Sequence, residues 1–319
     1  MRVLVTGAGF ISCHWVKDIL RKTDWEVVIL SRLSNVSTMD RIRDMMVDFP
    51  RLSFVWHDLR SPIHEDVAKK LGQFDVIYHL AASTHVDTSI EYPEAFVLDN
   101  VLGTTHLLQF ARKQKHLEKF FQFSTDEVHG SAPMGTDYKE IDAYNSGNPY
   151  AASKAGAEQM AWAFRNTYKV PVITTRTMNV YGTHQHSSKF IPLVISKVLQ
   201  GETVSIHANA GKTESGRRKY INTDNVSASL LFLTKHGKVG EVYNVVGERE
   251  VSNLELAQLI ADHIGKPLKY EMVDFHGSRP GHDLRYSLDG SKLAKLGYTP
   301  PDIFENQIKK TIDWYVENV

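Results

Sequence analysis

The sequence predicts an α/β fold: a doubly wound parallel sheet with helices on both faces, followed by a smaller C-terminal α/β lobe. Three observations point there. A glycine turn, Gly7-x-Gly9-x-x-Ser12, joins the apolar run RVLVT to the helical pattern FISCHWVKDILRK. Short apolar runs then alternate with amphipathic stretches through the first half of the chain. After about residue 177 that alternation loosens. Buried strands separated by helices cannot pair as hairpins, so they assemble in parallel with the helices packed on the faces.

The elements follow in order. EVVIL is the second buried strand, and LSFVW follows a charged helix-like segment. FDVIYHLAA comes next, then the long periodic stretch 91–115 before KFFQFS, and another, 150–168, before VPVITTR. In the second half, NVYGTHQHSSKFIPLVISKVLQG reads as a loop and a helix, and RKYINTDNVSASLLFLTKH as a strand end and a helix. EVYNVVG is a strand, SNLELAQLIADHIG a helix with Ser252 at its N-cap, and PDIFENQIKKTIDWYVEN an amphipathic helix. Residues 1–177 are expected to form a dinucleotide-binding domain that segments around 225–255 rejoin. Residues 178–319 mainly form the second lobe, expected to cover the carboxyl edge of the sheet.

Composition excludes several classes. Among 319 residues, 42% are hydrophobic and 23% charged, which suits a sizeable core. Lysine plus arginine equals aspartate plus glutamate at 37 each, so bulk charge gives no case for nucleic acid or a membrane surface. Cys13 is the only cysteine, so no internal disulfide forms and a reducing, cytoplasmic setting is expected. The opening MRVLVTGAGF is too short and glycine-interrupted for a signal segment, and no apolar run reaches membrane-spanning length. HQH at 184–186 lacks a third ligand at metal-site spacing, so no metal is expected.

In the glycine turn, Gly7 permits the tight bend and Gly9 lets the backbone approach a pyrophosphate seated on the helix N-terminus. The end of the second strand bears on the cofactor. NAD binders usually carry an acid there for the ribose 2′-hydroxyl, but this chain has Ser31 and Arg32. A guanidinium and a hydroxyl suit a 2′-phosphate, which points to NADP over NAD. Asp58, in WHDLR, is placed to accept from the adenine amino group or to cap its own loop.

Tyr150 and Lys154 are spaced i, i+4 and share one helix face. An ammonium stabilises a phenolate, and moving tyrosine from about 10 to about 7 requires roughly 4 kcal/mol. Asp126 and Glu127 adjoin at the carboxyl end of the run KFFQF, where open α/β sheets bind ligands. Two neighbouring carboxyls in a closed site do not both ionise easily, so one acid and one base arise from two similar residues.

These residues carry a resemblance. VTGAGFI, HLAAS, NVLGT, STDEVHG, YAASK and NVYG resemble the extended short-chain dehydrogenase/reductase superfamily, which implies a Rossmann-like fold. Within it the chain is most similar to nucleotide-sugar 4,6-dehydratases of the dTDP-glucose 4,6-dehydratase group. The similarity runs over nearly the whole chain, through KFIPLVI, RKYINTDNV, VYNVVG and RPGHDLRY. It implies a nucleotide-sugar substrate, with dTDP- or UDP-glucose preferred. It also implies a mechanism. Tyr150 takes the 4-hydroxyl proton as C4 gives hydride to the cofactor, and the 4-ketone acidifies C5. Glu127 removes the C5 proton, Asp126 protonates the departing C6 hydroxyl, and hydride returns to C6. Thr125 hydrogen-bonds the 4-oxygen, and Lys154 supports Tyr150. The resemblance adds Phe10, Ile11, Leu59, Leu80, Ala81 and Ala82 to the cofactor site. It assigns Ser83, Thr84 and Val86 to the hexose pocket. Asn179, Lys189, Phe190, Arg218, Asn253, Arg279 and His282 are implied in substrate binding.

The chain departs from the family pattern at Ser12, where the third glycine stands, at Ser31, where the acid stands, and at His129, commonly a tyrosine. The same scaffold carries 4-epimerases, decarboxylases and 5,6-dehydratases, and a non-catalytic NADP-binding sensor is a further alternative. The Asp126–Glu127 pair opposes the epimerase and decarboxylase readings. By analogy with the superfamily, a homodimer through 91–115 and 150–168 is expected.

Overall fold

The computed structural model describes residues 1–33, 36–274 and 284–318. Its elements are β1 (Arg2–Thr6), α1 (Phe10–Lys22), β2 (Glu26–Ser31), α2 (Val36–Asp48), β3 (Leu52–Trp56), α3 (Glu65–Leu71) and β4 (Val76–His79). Next come α4 (Val86–Glu91), α5 (Pro93–Phe96), a π-helical segment (Val97–Leu102), α6 (Gly103–Ala111), β5 (Lys119–Thr125) and α7 (Pro149–Tyr168). The rest are β6 (Val172–Thr177), β7 (Val180–Tyr181), α8 (Phe190–Gln200), β8 (Val204–Ala208), β9 (Arg217–Lys219), β10 (Ile221–Asn222) and α9 (Thr223–His236). Then follow β11 (Val242–Val245), β12 (Glu250–Ser252), α10 (Asn253–Ile264), β13 (Tyr270–Asp274), α11 (Ser291–Lys295) and α12 (Phe304–Asn318).

Seven strands form the main sheet in the order β11-β6-β5-β4-β1-β2-β3. β1 pairs in parallel with β2 and β4, β2 with β3, and β4 with β5. The order reverses at β1, so the crevice beyond the carboxyl ends of β1 and β4 is the switch point where such sheets bind ligands. The doubly wound arrangement read from the sequence is therefore present. Leu4, Leu30, Ile77, Leu107, Phe120 and Phe164 pack one apolar core of this sheet against its helices.

The chain divides into two compact units. One comprises Met1–Val128, Asn148–Arg176 and Leu230–Tyr243, the other His129–Gly147, Thr177–Ser229 and Asn244–Val319. The second unit has its own core, in which Ile191, Val194 and Ile195 of α8 pack with Ile260 of α10 and Ile308 and Ile312 of α12. Three two-stranded pairings, β7 with β10, β9 with β12 and β8 with β13, supply its strands. Ser252 caps α10 with a reciprocal bond from Glu255, so the N-cap expected there is present. No described helix is long and apolar enough to cross a membrane.

At the end of β4, His79 is buried and ties three elements together. Its Nδ1 lies 2.7 Å from Thr6 Oγ1 on β1, and its Nε2 lies 2.8 Å from Thr104 Oγ1 on α6. Thr104 donates its own proton to Asn100 O at 2.5 Å, so Nε2 must donate and Nδ1 accept from Thr6. Burial, then the Lys154 charge, push the ring down to about 3 from 6.5. The unfolded chain thus takes up this proton first as the pH falls. Stability held by His79 is complete above 6.5 and drains away toward about 3. In urea titrations across that window, the wild type should lose up to about 1.4 kcal/mol per pH unit more than His79→Gln. Parallel pH dependences in the two proteins would show that His79 is not held neutral.

Candidate active site

β5 runs through the core of the first unit and emerges as Thr125-Asp126-Glu127, which enter a single 3-10 turn, Asp126–His129. Thr125 and Asp126 are buried, and Glu127 is half-buried. Thr125 Oγ1 donates to Asp126 Oδ1 at 2.9 Å, and the Glu127 N–H reaches Thr125 Oγ1 at 3.4 Å. The tight turn keeps the two carboxyls on adjacent residues at the mouth of a central strand.

α7 meets this turn through Asn148. Its Oδ1 accepts the Ala151 N–H at 2.9 Å, capping the helix, while its Nδ2 donates to Glu127 Oε2 at 3.2 Å. Pro149 occupies the first helical turn, where its missing N–H costs nothing. Tyr150 follows directly, buried, with its N–H on Ser89 Oγ at 3.1 Å and its ring edge-on to Phe96. Burial pushes the Tyr150 phenol above its ordinary range, and the Glu127 charge pushes it further. A hydrogen bond with Thr125 opposes, and Asp126 adds to the rise.

Lys154 is also buried, one turn along. Its ammonium donates to Phe123 O on β5 at 2.7 Å. Burial lowers it to about 8, against the opposing charge of Glu158. Glu158 in turn is clamped by Arg176 of β6 at 2.9 Å, with both side chains buried. Among the protein groups around Tyr150, burial and the carboxylates of Glu127 and Asp126 set the direction of the phenol, and it is upward.

Asn148 and a second asparagine carry little signal in the sequence. Asn100, in the π-helical segment, accepts the Ser83 N–H at 2.8 Å and donates to Ser83 O at 3.0 Å and Ser153 Oγ at 2.8 Å. It thereby joins the loop after β4 to α7. NVLGT was the only signal, and a widened helical turn has no residue signature of its own.

The glycine turn is shaped for a phosphate. Gly7 adopts φ +83, and a Cβ there would lie 3.0 Å from Ala81 Cα, so only glycine is comfortable. A Cβ on Gly9 would meet nothing within 4 Å, which leaves room for a ligand beside the backbone. Among the described residues no side chain caps α1, and its first turn holds no acid. Its N–H groups therefore present positive dipole ends to that space. Ser12 is accommodated because its hydroxyl folds back onto Gly9 O at 3.1 Å. Phe10 and Ile11 open α1, half-buried, and Leu80, Ala81 and Ala82 follow β4.

At the end of β2, Ser31 Oγ accepts the Leu33 N–H at 3.2 Å. Arg32 is engaged by acids: Nη1 lies 2.8 Å from Asp99 Oδ1 and Nη2 3.2 Å from Asp99 Oδ2. Asp58 Oδ1 accepts the Arg60 N–H at 2.9 Å, the loop-capping role, and lies near Arg32 at 3.5 Å. Leu59 is buried in the core, and its carbonyl accepts from His106 Nδ1 at 2.7 Å. Ser83 and Val86 are partly buried, and Thr84 is exposed.

Other candidates lie in the second unit. Asn179 is exposed, Lys189 stands at the N-cap of α8, and Phe190 packs partly buried against the core. Arg218 is buried, donates to the Arg217 and Leu284 carbonyls at 2.7 Å each, and lies over the Tyr286 ring. Asn253 accepts from Tyr220 at 3.0 Å. Arg279 and His282 lie outside the described residues. His129 is buried in the same unit, stacked on Tyr138 and Tyr144. Among the described residues, no group of three or more potential metal ligands converges.

Comparison with known proteins bears on this geometry. Residues 3–246 match the model of the NAD dependent epimerase/dehydratase family. The chain is 36% identical over 339 residues to the dTDP-glucose 4,6-dehydratase of Haemophilus influenzae, covering 100% of this chain and 98% of that one. It is 37% identical over 317 residues to the low-salt glycan biosynthesis protein Agl12 of Haloferax volcanii, covering 99% of each. The crystal structure of DesIV, a dTDP-glucose 4,6-dehydratase from Streptomyces venezuelae with NAD and TYD bound, superposes with a TM-score of 0.88. It shares 35% identity and covers 100% of this chain and 98% of that one. With a glycine turn at the switch point, an acid pair on the central strand and Tyr150 and Lys154 on the following helix, the chain belongs to the NAD dependent epimerase/dehydratase family.

Proposed function

We propose that this chain is an NAD-dependent 4,6-dehydratase acting on a nucleotide-activated glucose, with the dTDP sugar first among candidate donors. The observation that carries the reading is the Thr125-Asp126-Glu127 turn joined through Asn148 to the helix of Tyr150 and Lys154. The relatives named for this reaction support it over their full length.

The glycine cradle, the uncapped start of α1 and the loops at Asp58–Leu59 and Leu80–Ala82 are assigned to the dinucleotide. When bound, NAD would supply the reversible two-electron oxidation at C4 and a positive charge. NAD replaces the NADP preference read from Ser31 and Arg32, because Arg32 is already paired with Asp99 and the DesIV structure carries NAD.

Tyr150 takes the 4-hydroxyl proton, with Thr125 steering the oxygen. Its raised phenol makes it a reluctant base until a cation lies beside it, which couples proton removal to cofactor binding. Glu127, held by Asn148, removes the C5 proton that the 4-ketone has acidified. Asp126, buried and hydrogen-bonded to Thr125, delivers a proton to the C6 hydroxyl as water departs. Glu127 then returns a proton to C5. Ser83, Thr84 and Val86 are assigned to the hexose. Asn179, Lys189, Phe190, Arg218 and Asn253 are assigned to the nucleotide and its diphosphate, with Arg279 and His282 expected there from sequence. Val97, Leu98 and Trp162 are exposed apolar residues of the two stretches assigned to the proposed homodimer.

Incubation of the protein with NAD⁺ and dTDP-glucose should yield a product lighter by one water, without net reduction of the cofactor. UDP-, CDP- and GDP-linked sugars serve as competitors. Glu127→Gln should slow water loss by roughly 10²–10⁴-fold while leaving C4 oxidation visible as bound NADH. Absence of dehydration from every donor would refute the assignment. Asn148→Ala should cost about 1 kcal/mol of stability as a lost cap. Asn148→Asp keeps the cap but opposes Glu127, so it should restore Tm while kcat stays on the order of a hundredfold low. Recovery of both together would limit Asn148 to a structural role.

A further inference from the structure

The carboxylate missing from the end of β2 reappears from another element. Asp99 lies in the π-helical segment, with its side chain only 9% exposed. Its Oδ1 accepts from Arg32 Nη1 at 2.8 Å and Arg60 Nε at 2.6 Å. Its Oδ2 accepts from Arg32 Nη2 at 3.2 Å, Arg60 Nη2 at 3.0 Å and Ser83 Oγ at 2.6 Å. Burial alone would raise this carboxyl, but the bonds from Arg60, Ser83 and Arg32 hold it below the usual range.

Five donors saturate Asp99, so it has no capacity left for a ribose hydroxyl. Its effect must pass through Arg32. The Arg32 main chain is pinned as well: Trp56 Nε1 donates to its carbonyl at 3.0 Å, and Leu33 beyond it adopts φ 54. Arg32, Arg60, Asp58 and Asp99 therefore form a cluster with two charges of each sign. A ribose 2′-phosphate brought to the end of β2 would meet no net positive charge. It would also have to break a bidentate pair and leave Asp99 less compensated.

We propose that Asp99 is the positioning residue that sets dinucleotide choice, holding Arg32 out of reach of a 2′-phosphate so that NAD is taken in preference to NADP. This rests on the proposed use of a nicotinamide dinucleotide.

The test is direct titration of NAD⁺ and NADP⁺ onto the full chain, with no sugar present. The wild type should favour NAD⁺. Asp99→Asn keeps the shape but releases Arg32, and should tighten NADP⁺ relative to NAD⁺ by about tenfold or more. Adding Arg32→Ala should abolish that gain. In the wild-type background, Arg32→Ala alone should change NADP⁺ affinity by less than about threefold, since that guanidinium is already committed. A ratio unchanged in folded Asp99→Asn, a gain that survives Arg32→Ala, or a large NADP⁺ loss in Arg32→Ala alone would overturn the proposal. If Asp99→Asn does not fold, the Arg32→Ala result decides alone. A wild type that binds neither dinucleotide would overturn the cofactor assignment and this inference together.

Discussion

The side chain of Asn148 faces two ways, and the candidate site depends on it. Its oxygen begins α7 by satisfying an otherwise orphaned N–H, and its nitrogen holds Glu127. One residue thus sets the start of the helix that carries Tyr150 and Lys154 and the position of the acid beside them. Helix start and acid pair cannot drift independently. A shift of one residue in the cap would rotate Tyr150 by about a quarter turn off the site. Pro149 reinforces the point, since its fixed φ suits the first helical turn.

Beneath that junction the charges alternate. Arg176 clamps Glu158, Glu158 offsets part of the burial cost of Lys154, and Lys154 is anchored on the Phe123 carbonyl of β5. A buried pair of this kind is weak evidence for stability but specifies one arrangement of helix against sheet. The polar chain from Thr6 through His79 and Thr104 to Asn100 does the same for β1, β4 and the helices beyond. The second network consists of neutral groups, whereas in the first, one carboxylate serves two buried cations and a main-chain carbonyl takes part of the load of Lys154.

The fold was legible because buried strands and amphipathic helices have distinct periods, and the alternation from β1 to β6 is clean. The acid pair, Tyr150 and Lys154 were legible as motifs at a strand end and on a helix face. The electrostatics were not. Sequence spacing shows that Tyr150 and Lys154 share a face, but not that burial and Glu127 raise the phenol. Arg32 was visible as a cation at the end of β2, but its partner Asp99 is 67 residues away on a segment whose π geometry has no signature. Asn100 and Asn148 were missed for a related reason: each acts through bonds to residues distant in sequence, and a lone asparagine in a helix or before a proline usually caps or solvates. Arg218 was legible as a cation of the second unit, but its bonds to two carbonyls and its place over the Tyr286 ring were not, since those partners lie on other segments or on the main chain.

In the proposed reaction Glu127 takes a proton off C5 and returns one to it. The most direct measurement is the reaction of dTDP-glucose with the NAD⁺-loaded protein in deuterium oxide, with the label located in the product by NMR and mass spectrometry. The proton on Glu127 exchanges with solvent, whereas the hydrogen returned to C6 comes from C4 of the sugar. The account therefore predicts one deuterium at C5, none on C6, and loss of one water. Deuterium on C6, or a product that keeps its water and inverts C4, would contradict it and identify a different reaction on the same scaffold.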